Sequence, residues 1–300
     1  MTEQQGQGER PRSAGASVVA IVVAVLVGAG VAVAGSQGGA LAGSVPVFAL
    51  CVGLAFAAQW VAFVPAYLGQ TERFYDLTGS LTYVTVAGLA VALSPAPDAR
   101  AILLLVLVVV WAARLGTYLV RRIRAVGKDV RFDALKTSPV RFLVAWTIQG
   151  LWVGLTLAAA LAAITTTVRQ SLGVVEYLGV AVWVAGFAVE AVADWQKGRF
   201  RANPANKGRF IRDGLWAWSR HPNYFGEIVL WVGVALIAVP VLQGWQLVTL
   251  ISPVFVTLLL TRVSGVPLLE QKADKTWGGQ PDYEAYKAAT PVLVLRPPRR

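Results

Sequence analysis

The sequence predicts an all-α fold, a polytopic transmembrane helical bundle of about seven to eight spans. Three observations predict it. Apolar residues make up 56% of the 300-residue chain and charged residues only 14%, where an average globular chain carries about 25% charged residues. Apolar windows recur near 17–35, 46–66, 77–95, 100–120, 142–165, 174–195, 225–241 and 245–263, most of them close to the ~20 residues that a helix needs to cross the hydrocarbon core. Lys and Arg collect on alternate connections: segments 1–16, 67–76, 121–141, 196–224 and 262–300 hold 2, 1, 7, 7 and 7 of them. The intervening segments contribute only Arg100 and Arg169, and Arg114 lies within a span. Such asymmetry marks the basic side as cytoplasmic and puts both termini there, with an even number of spans.

In chain order, residues 1–16 are polar and read as a disordered cytoplasmic N-terminus. The apolar run that follows Arg10 and Arg12 has the flank of a signal peptide, but it is longer than a usual signal core and further spans come after it. It reads as a retained helix, the first of two N-terminal transmembrane helices over 17–66. Residues 67–300 read as the main membrane domain. The seventh window is short, and Pro46, Pro65 and Pro253 interrupt otherwise clean spans. After the last span, Pro281 to Ala289 reads as an interfacial helix, and the chain ends in the basic LRPPRR, which suits anionic membrane lipids.

Composition also excludes. One cysteine (Cys51) and one histidine (His221) leave no disulfide framework, no His/Cys zinc site and no bis-histidine haem, so no metal is expected. The net charge of +11 sits in membrane-flanking loops, where topology, anionic lipid or an anionic cofactor explains it better than nucleic acid.

Residues able to carry chemistry cluster at the basic side. In ERFYDLTGS, Tyr75 and Asp76 could polarise a carbonyl where burial keeps the acid protonated; Asp76 could equally be a helix N-cap. Arg114 lies inside the fourth span, with Tyr118 and Arg122 at i+4 and i+8 on its face. An ionised residue there is a site or a snorkelling side chain. The next connection, GKDVRFD, interleaves Lys128, Asp129, Arg131 and Asp133. Glu190 and Asp194 share a face of the sixth span, able to accept from a ribose or to pair with Arg199 or Arg201. Between Lys197 and Glu227 lies a basic stretch punctuated by Gly, Pro and Asn; it includes Arg201 and Arg209 and ends in His221, Asn223 and Glu227. Guanidinium forks in this number suit a ligand with several phosphates; a topology signal is the plainer alternative.

Several motifs in one order then carry a resemblance: RFYDLTGS, WAARLGTYLVRRIRAVGKDVRFD, QGLW, ADWQKGRFR, GLWAWSRHPNYFGE and the terminal SGVPLLEQKADKTWG, YEAY and TP. From about Glu72 to the C-terminus the chain resembles a bacterial, function-unassigned branch of the steroid 5-alpha-reductase and sterol-reductase superfamily. The resemblance implies a bacterial inner-membrane protein with a cavity open to the cytosol that holds NADPH. Arg114, Tyr118, Arg122, Lys128, Asp129, Arg131, Asp194, Arg201, Arg209, His221, Asn223 and Glu227 would surround the cofactor, and Tyr75 and Asp76 would act on the substrate. The implied reaction is reduction of a conjugated C=C bond (an enone) in a lipid-soluble substrate, by hydride addition to the β-carbon and protonation of the α-carbon. Two departures stand out: Trp111 occupies the place of a tyrosine that orients the enone, and SGVPLLE stands where steroid reductases carry His and Tyr. The RHP-x-Y motif with its following Glu is also similar to isoprenylcysteine and phospholipid methyltransferases, which use S-adenosylmethionine. A transporter or scaffold is the third class; one-sided polarity speaks against a transporter, which wants polar groups at the midplane.

Overall fold

The computed structural model describes residues 14–126, 129 and 132–298, without the side chains of 122–126. It is an all-α bundle in which eight helical stretches are long and apolar enough to cross a membrane, among the described residues. Helix α1 spans Ala14–Gly35, α2 Val47–Leu68, α3 Tyr75–Leu93, α4 Ala99–Val126, α5 Asp133–Lys136 and α6 Pro139–Thr165. Helix α7 follows over Val174–Ala202, then α8 Pro222–Ala238, α9 Ile251–Leu258, α10 Val266–Trp277 and α11 Pro281–Ala289. The expected interfacial helix is α11.

Helix α6 is the post around which the bundle stands. Its C-terminal half, from Val153 to Thr165, is buried almost without interruption. The reason is in its side chains: GLTLAAALAAIT offers little bulk, so α1, α2, α3 and α9 can all approach. Gly150 shows how close they come, since a Cβ there would stand 3.0 Å from the Phe56 backbone. Without a hydrophobic drive between helices in lipid, such small-residue surfaces supply the packing.

Helices α7 and α8 are joined more closely still. Gly179 and Gly186 on α7 face Gly233 and Gly226 on α8. A Cβ on Gly186 would lie 2.5 Å from Leu230 N, and one on Gly226 would lie 2.5 Å from Glu190 N. The two backbones touch because glycine alone leaves room.

The end of the bundle away from the basic loops is closed by a buried ion pair. Arg100, at the start of α4, bonds Glu176, whose other oxygen accepts from Gly173 N at 2.8 Å, at the start of α7. Glu176 thereby caps its own helix while holding α4 against it.

Three details differ from the expectation. The chain after α1 forms a two-residue hairpin, β1 (Leu41–Ala42) against β2 (Val45–Pro46). Asp76 is not an N-cap: α3 begins one residue earlier, and Asp76 sits in its first turn. The eighth span is not a plain helix. It enters as a 3-10 turn over Gly244–Leu250, continues as α9, loosens into a π-turn at Leu259–Val263 and bends at Gly265 before α10.

Candidate functional site

Where α4, α7 and α8 meet, the glycine seam lets charged side chains converge. Arg114 turns inward and does not snorkel. One guanidinium nitrogen bonds Glu190, another reaches Asp194 Oδ2 at 2.9 Å, and the group lies 5.6 Å over the Phe187 ring. Asn223 Nδ2 donates to the other oxygen of Asp194 at 3.2 Å. Glu227, one turn beyond Asn223 on α8, lies near enough to feel the charges of Arg114 and Asp194. Neither Arg199 nor Arg201 pairs with Glu190 or Asp194 among the described residues; the partner of both is Arg114 of α4, which the sequence did not offer. The network sets two carboxylates on one guanidinium with Glu227 in its neighbourhood, and Glu190 Oε2 and Arg114 Nε are buried without a hydrogen-bond partner. Beside it stands an aromatic box. Trp111 meets Trp231 edge-on at 4.9 Å and Tyr83 at 5.0 Å, and Tyr83 lies in the field of Glu227 with its hydroxyl on Thr156.

Toward the basic end, next to this network, opens a hollow of about 360 Å³. Lys197, Arg201, Arg209, Arg220 and Lys272 line it, with aromatic walls that include Phe200, Phe210 and Trp216. Lys197 sits 4.2 Å over the Trp216 ring, which is fixed in turn by a 3.0 Å bond from its Nε1 to Ala193 O. His221 closes the inner wall: Nε2 lies 2.8 Å from Glu270 Oε1, while Nδ1 is buried without a partner. The second Glu270 oxygen is 3.0 Å from Arg220, so one carboxylate of α10 holds two residues of the basic stretch. The chain end straps the same region, with Arg220 N donating to Pro291 O at 2.9 Å and Tyr286 Oη to Trp216 O at 2.7 Å. Burial and the carboxylate of Asp274 hold the Tyr283 phenol well above its usual range.

A family described as a protein of unknown function, DUF1295, matches residues 62–290. The chain belongs to DUF1295. The DUF1295 region starts within α2 and takes in every residue of the network and of the hollow. Comparison with curated proteins and with solved structures returns no match.

Within the DUF1295 region the expected site residues divide. Arg114, Asp194, Asn223 and Glu227 share the network; Arg201, Arg209 and His221 line the hollow. Tyr118 follows Arg114 by one turn of α4 and is half-buried. The side chain of Arg122, and Lys128 and Arg131 altogether, lie outside the described residues. Asp129 is held by its backbone: its N–H donates to Glu72 Oε1 at 2.9 Å. Glu72 also takes Lys136 Nζ at 2.5 Å. Burial would raise the Glu72 carboxyl, but the Lys136 and Asp129 hydrogen bonds outweigh it and hold the group below its usual range. Tyr75 faces α6: its hydroxyl donates to Ala145 O at 2.9 Å and its ring packs on Phe132 and Trp146.

Sequence reasoning passed over Tyr83, Lys197, Arg220 and Glu270 as site residues. Glu270 lies in the quoted SGVPLLE motif, and its acidic position between Leu269 and the basic Lys272 was a readable signal. Tyr83 had none, since one tyrosine in an apolar run is ordinary.

Proposed function

We propose that this DUF1295 chain is a membrane-embedded, NADPH-dependent reductase of a conjugated C=C bond in a lipid-soluble substrate. In this reading it belongs with the steroid 5-alpha-reductase superfamily and sits in a bacterial inner membrane with the basic end toward the cytoplasm. One observation carries the reading. Lys197, Arg201, Arg209 and Lys272 face a single hollow, and among the described residues none of the four has a carboxylate within ion-pair distance. Lys136, Arg212, Arg220 and Lys287 at the same end are each paired with a carboxylate. Four uncompensated cations with aromatic walls are suited to an anion that carries phosphates and a flat ring.

The residues present fit such a dinucleotide. Arg201, Arg209 and Lys272 supply phosphate donors, and Trp216 and Phe210 offer ring faces. Asp194 and Asn223 stand at the junction with the inner network, where carboxylate and amide can hold ribose hydroxyls. When bound, the cofactor supplies the hydride. The chain's part is to bind, to orient and to keep water out. A proton for the α-carbon must come from an acid near the network. Tyr75 and Asp76 remain the pair expected from sequence, with the Tyr75 hydroxyl donating to Ala145 O of α6. Tyr83, between Trp111 and Glu227, is the better-placed hydroxyl.

The test is ligand-dependent thermal stability of the detergent-purified chain, because a ligand that binds only the folded state raises its apparent stability. Stabilisation by NADPH, reduced at least tenfold in apparent affinity by Arg209→Ala, is the expected result, followed by turnover of enone lipids. Stabilisation by S-adenosylmethionine alone would overturn the reading in favour of a methyltransferase. If neither ligand acts, the basic stretch is a topology signal only.

A further inference from the structure

A second hollow, of about 380 Å³, lies on the outer side of the basic end of α7 and plays no part in the proposed reaction. Its polar lining includes Arg199, Gln196, Asn203 and Asp213, and Trp195 forms its rim. The face of α7 that leads to it is apolar and turned outward. Val184 and Val192 are exposed along it, and Trp195 is 60% exposed. Residues 184, 188, 192, 195 and 199 follow at helical spacing, so one stripe runs along the bundle and ends in Trp195 and then Arg199. Arg199 stacks at 5.6 Å on the Trp195 ring and has no carboxylate partner among the described residues.

That order of side chains matches the profile of a lipid leaflet. Exposed aliphatic side chains face acyl chains, a tryptophan sits at the level where chain meets headgroup, and a cation follows one turn further out. Gln196 is engaged at its oxygen by Leu215 N, and Asn203 at its oxygen by Ala205 N. The amide hydrogens of both are therefore the groups left toward the hollow. Guanidinium and amide donors select a phosphodiester over a neutral ester.

We propose that this hollow binds the headgroup of one anionic phospholipid, with its phosphate on Arg199 and an acyl chain along the α7 stripe. Asp213 on the far wall sets a limit: it favours a headgroup with one negative charge and hydroxyl donors over a multiply phosphorylated one. Phe200 and Ile211 line both hollows, so the bound lipid also buttresses the wall that carries Arg201 and Arg209.

Native mass spectrometry of the full chain, titrated with phosphatidylglycerol or phosphatidylcholine of equal chain length, tests this. Wild type should retain one phosphatidylglycerol in preference to phosphatidylcholine. Arg199→Gln should weaken that retention by about fivefold, the effect of one basic group at an anionic surface. Arg199→Lys should keep part of it. Arg73→Gln, an exposed change elsewhere at the basic end, should leave it unaltered and controls for net charge. Equal retention of the two lipids, or an Arg199→Gln variant that binds like wild type, overturns the proposal. Displacement of phosphatidylglycerol by millimolar inorganic phosphate also overturns it, leaving a free-anion site. Matching helix content by circular dichroism excludes misfolding as the cause of any loss.

Discussion

Replacing Gly226 by alanine adds one methyl group at the tightest point between α7 and α8. The new Cβ would stand 2.5 Å from Glu190 N and 2.6 Å from Gly186 O. Carbon contacts become comfortable only near 3.5 Å, so the helices must part by about 1 Å. Neither neighbour can swing away, because both are backbone atoms of a regular helix. Overpacking of this kind costs about 1–3 kcal/mol, and a 1 Å gap along the seam forfeits about a quarter to a half of each dispersion contact there. The fair comparison is Gly53→Ala in α2, where nothing lies within 4 Å of the added Cβ. That change removes only glycine's backbone freedom and should stabilise by about 0.5–1 kcal/mol. Thermal unfolding of both variants in one detergent, followed by loss of the monodisperse chromatographic peak, measures the difference. The expected order is Gly53→Ala, wild type, Gly226→Ala. If Gly226→Ala proves as stable as Gly53→Ala, the backbone contact does not exist and the convergence of Glu190 and Glu227 has lost its structural basis.

Other changes follow from the same geometry. Arg114→Leu leaves Glu190 and Asp194 uncompensated and should destabilise the chain by about 3–5 kcal/mol; joint replacement with Glu190→Gln and Asp194→Asn should recover much of the loss in the same unfolding assay. Glu270→Ala strips His221 Nε2 of its hydrogen-bond partner and Arg220 of its ion-pair partner, which should cost about 1–3 kcal/mol and weaken ligand-induced stabilisation. The Glu72–Lys136 pair gives a pH signature. Because the Glu72 carboxyl is held low, its contribution is complete above 4.5 and fades as pH falls toward its folded value. Because the Glu72 bond holds Lys136 above 10.5, that contribution is complete below 10.5 and fades as pH rises through the folded value. The stability gap between wild type and Glu72→Gln should therefore be flat across neutral pH and narrow at both extremes, as thermal unfolding over a pH series will show.

Hydropathy found the eight crossings because span length is a one-dimensional property of the sequence. It said nothing about which face of each helix packs inward. Beyond their first turns on the basic side, α6 and α8 are largely apolar on every face, and their packing faces are encoded by size: the alanines of α6 and the seven-residue spacing of Gly226 and Gly233, matched by Gly179 and Gly186. The Arg114 cluster was legible as separate charges, each improbable inside a span. Its pairing was not, because Arg114 and Glu190 lie 76 residues apart and either could have met a nearer partner. The basic stretch was legible as a concentration of cations, while Glu270, which holds Arg220 and His221 at its inner end, comes from α10, far along the chain. The π-turn at Leu259–Val263 left no trace in hydropathy, since TLLLTRV reads as ordinary apolar helix.

The ion pair of Arg100 and Glu176 gives the two ends of the molecule opposite responses to ionic strength. Both groups are buried, so dissolved salt has no path to them and cannot loosen that end. Arg201, Arg209 and Lys272 of the hollow at the basic end are exposed, where physiological salt screens charges over ~8 Å. On the proposed reading, raising salt should weaken anion binding at that end while the ligand-free bundle keeps its resistance to heat. A single salt series, read once for ligand release and once for unfolding, separates the part of the chain that binds from the part that endures.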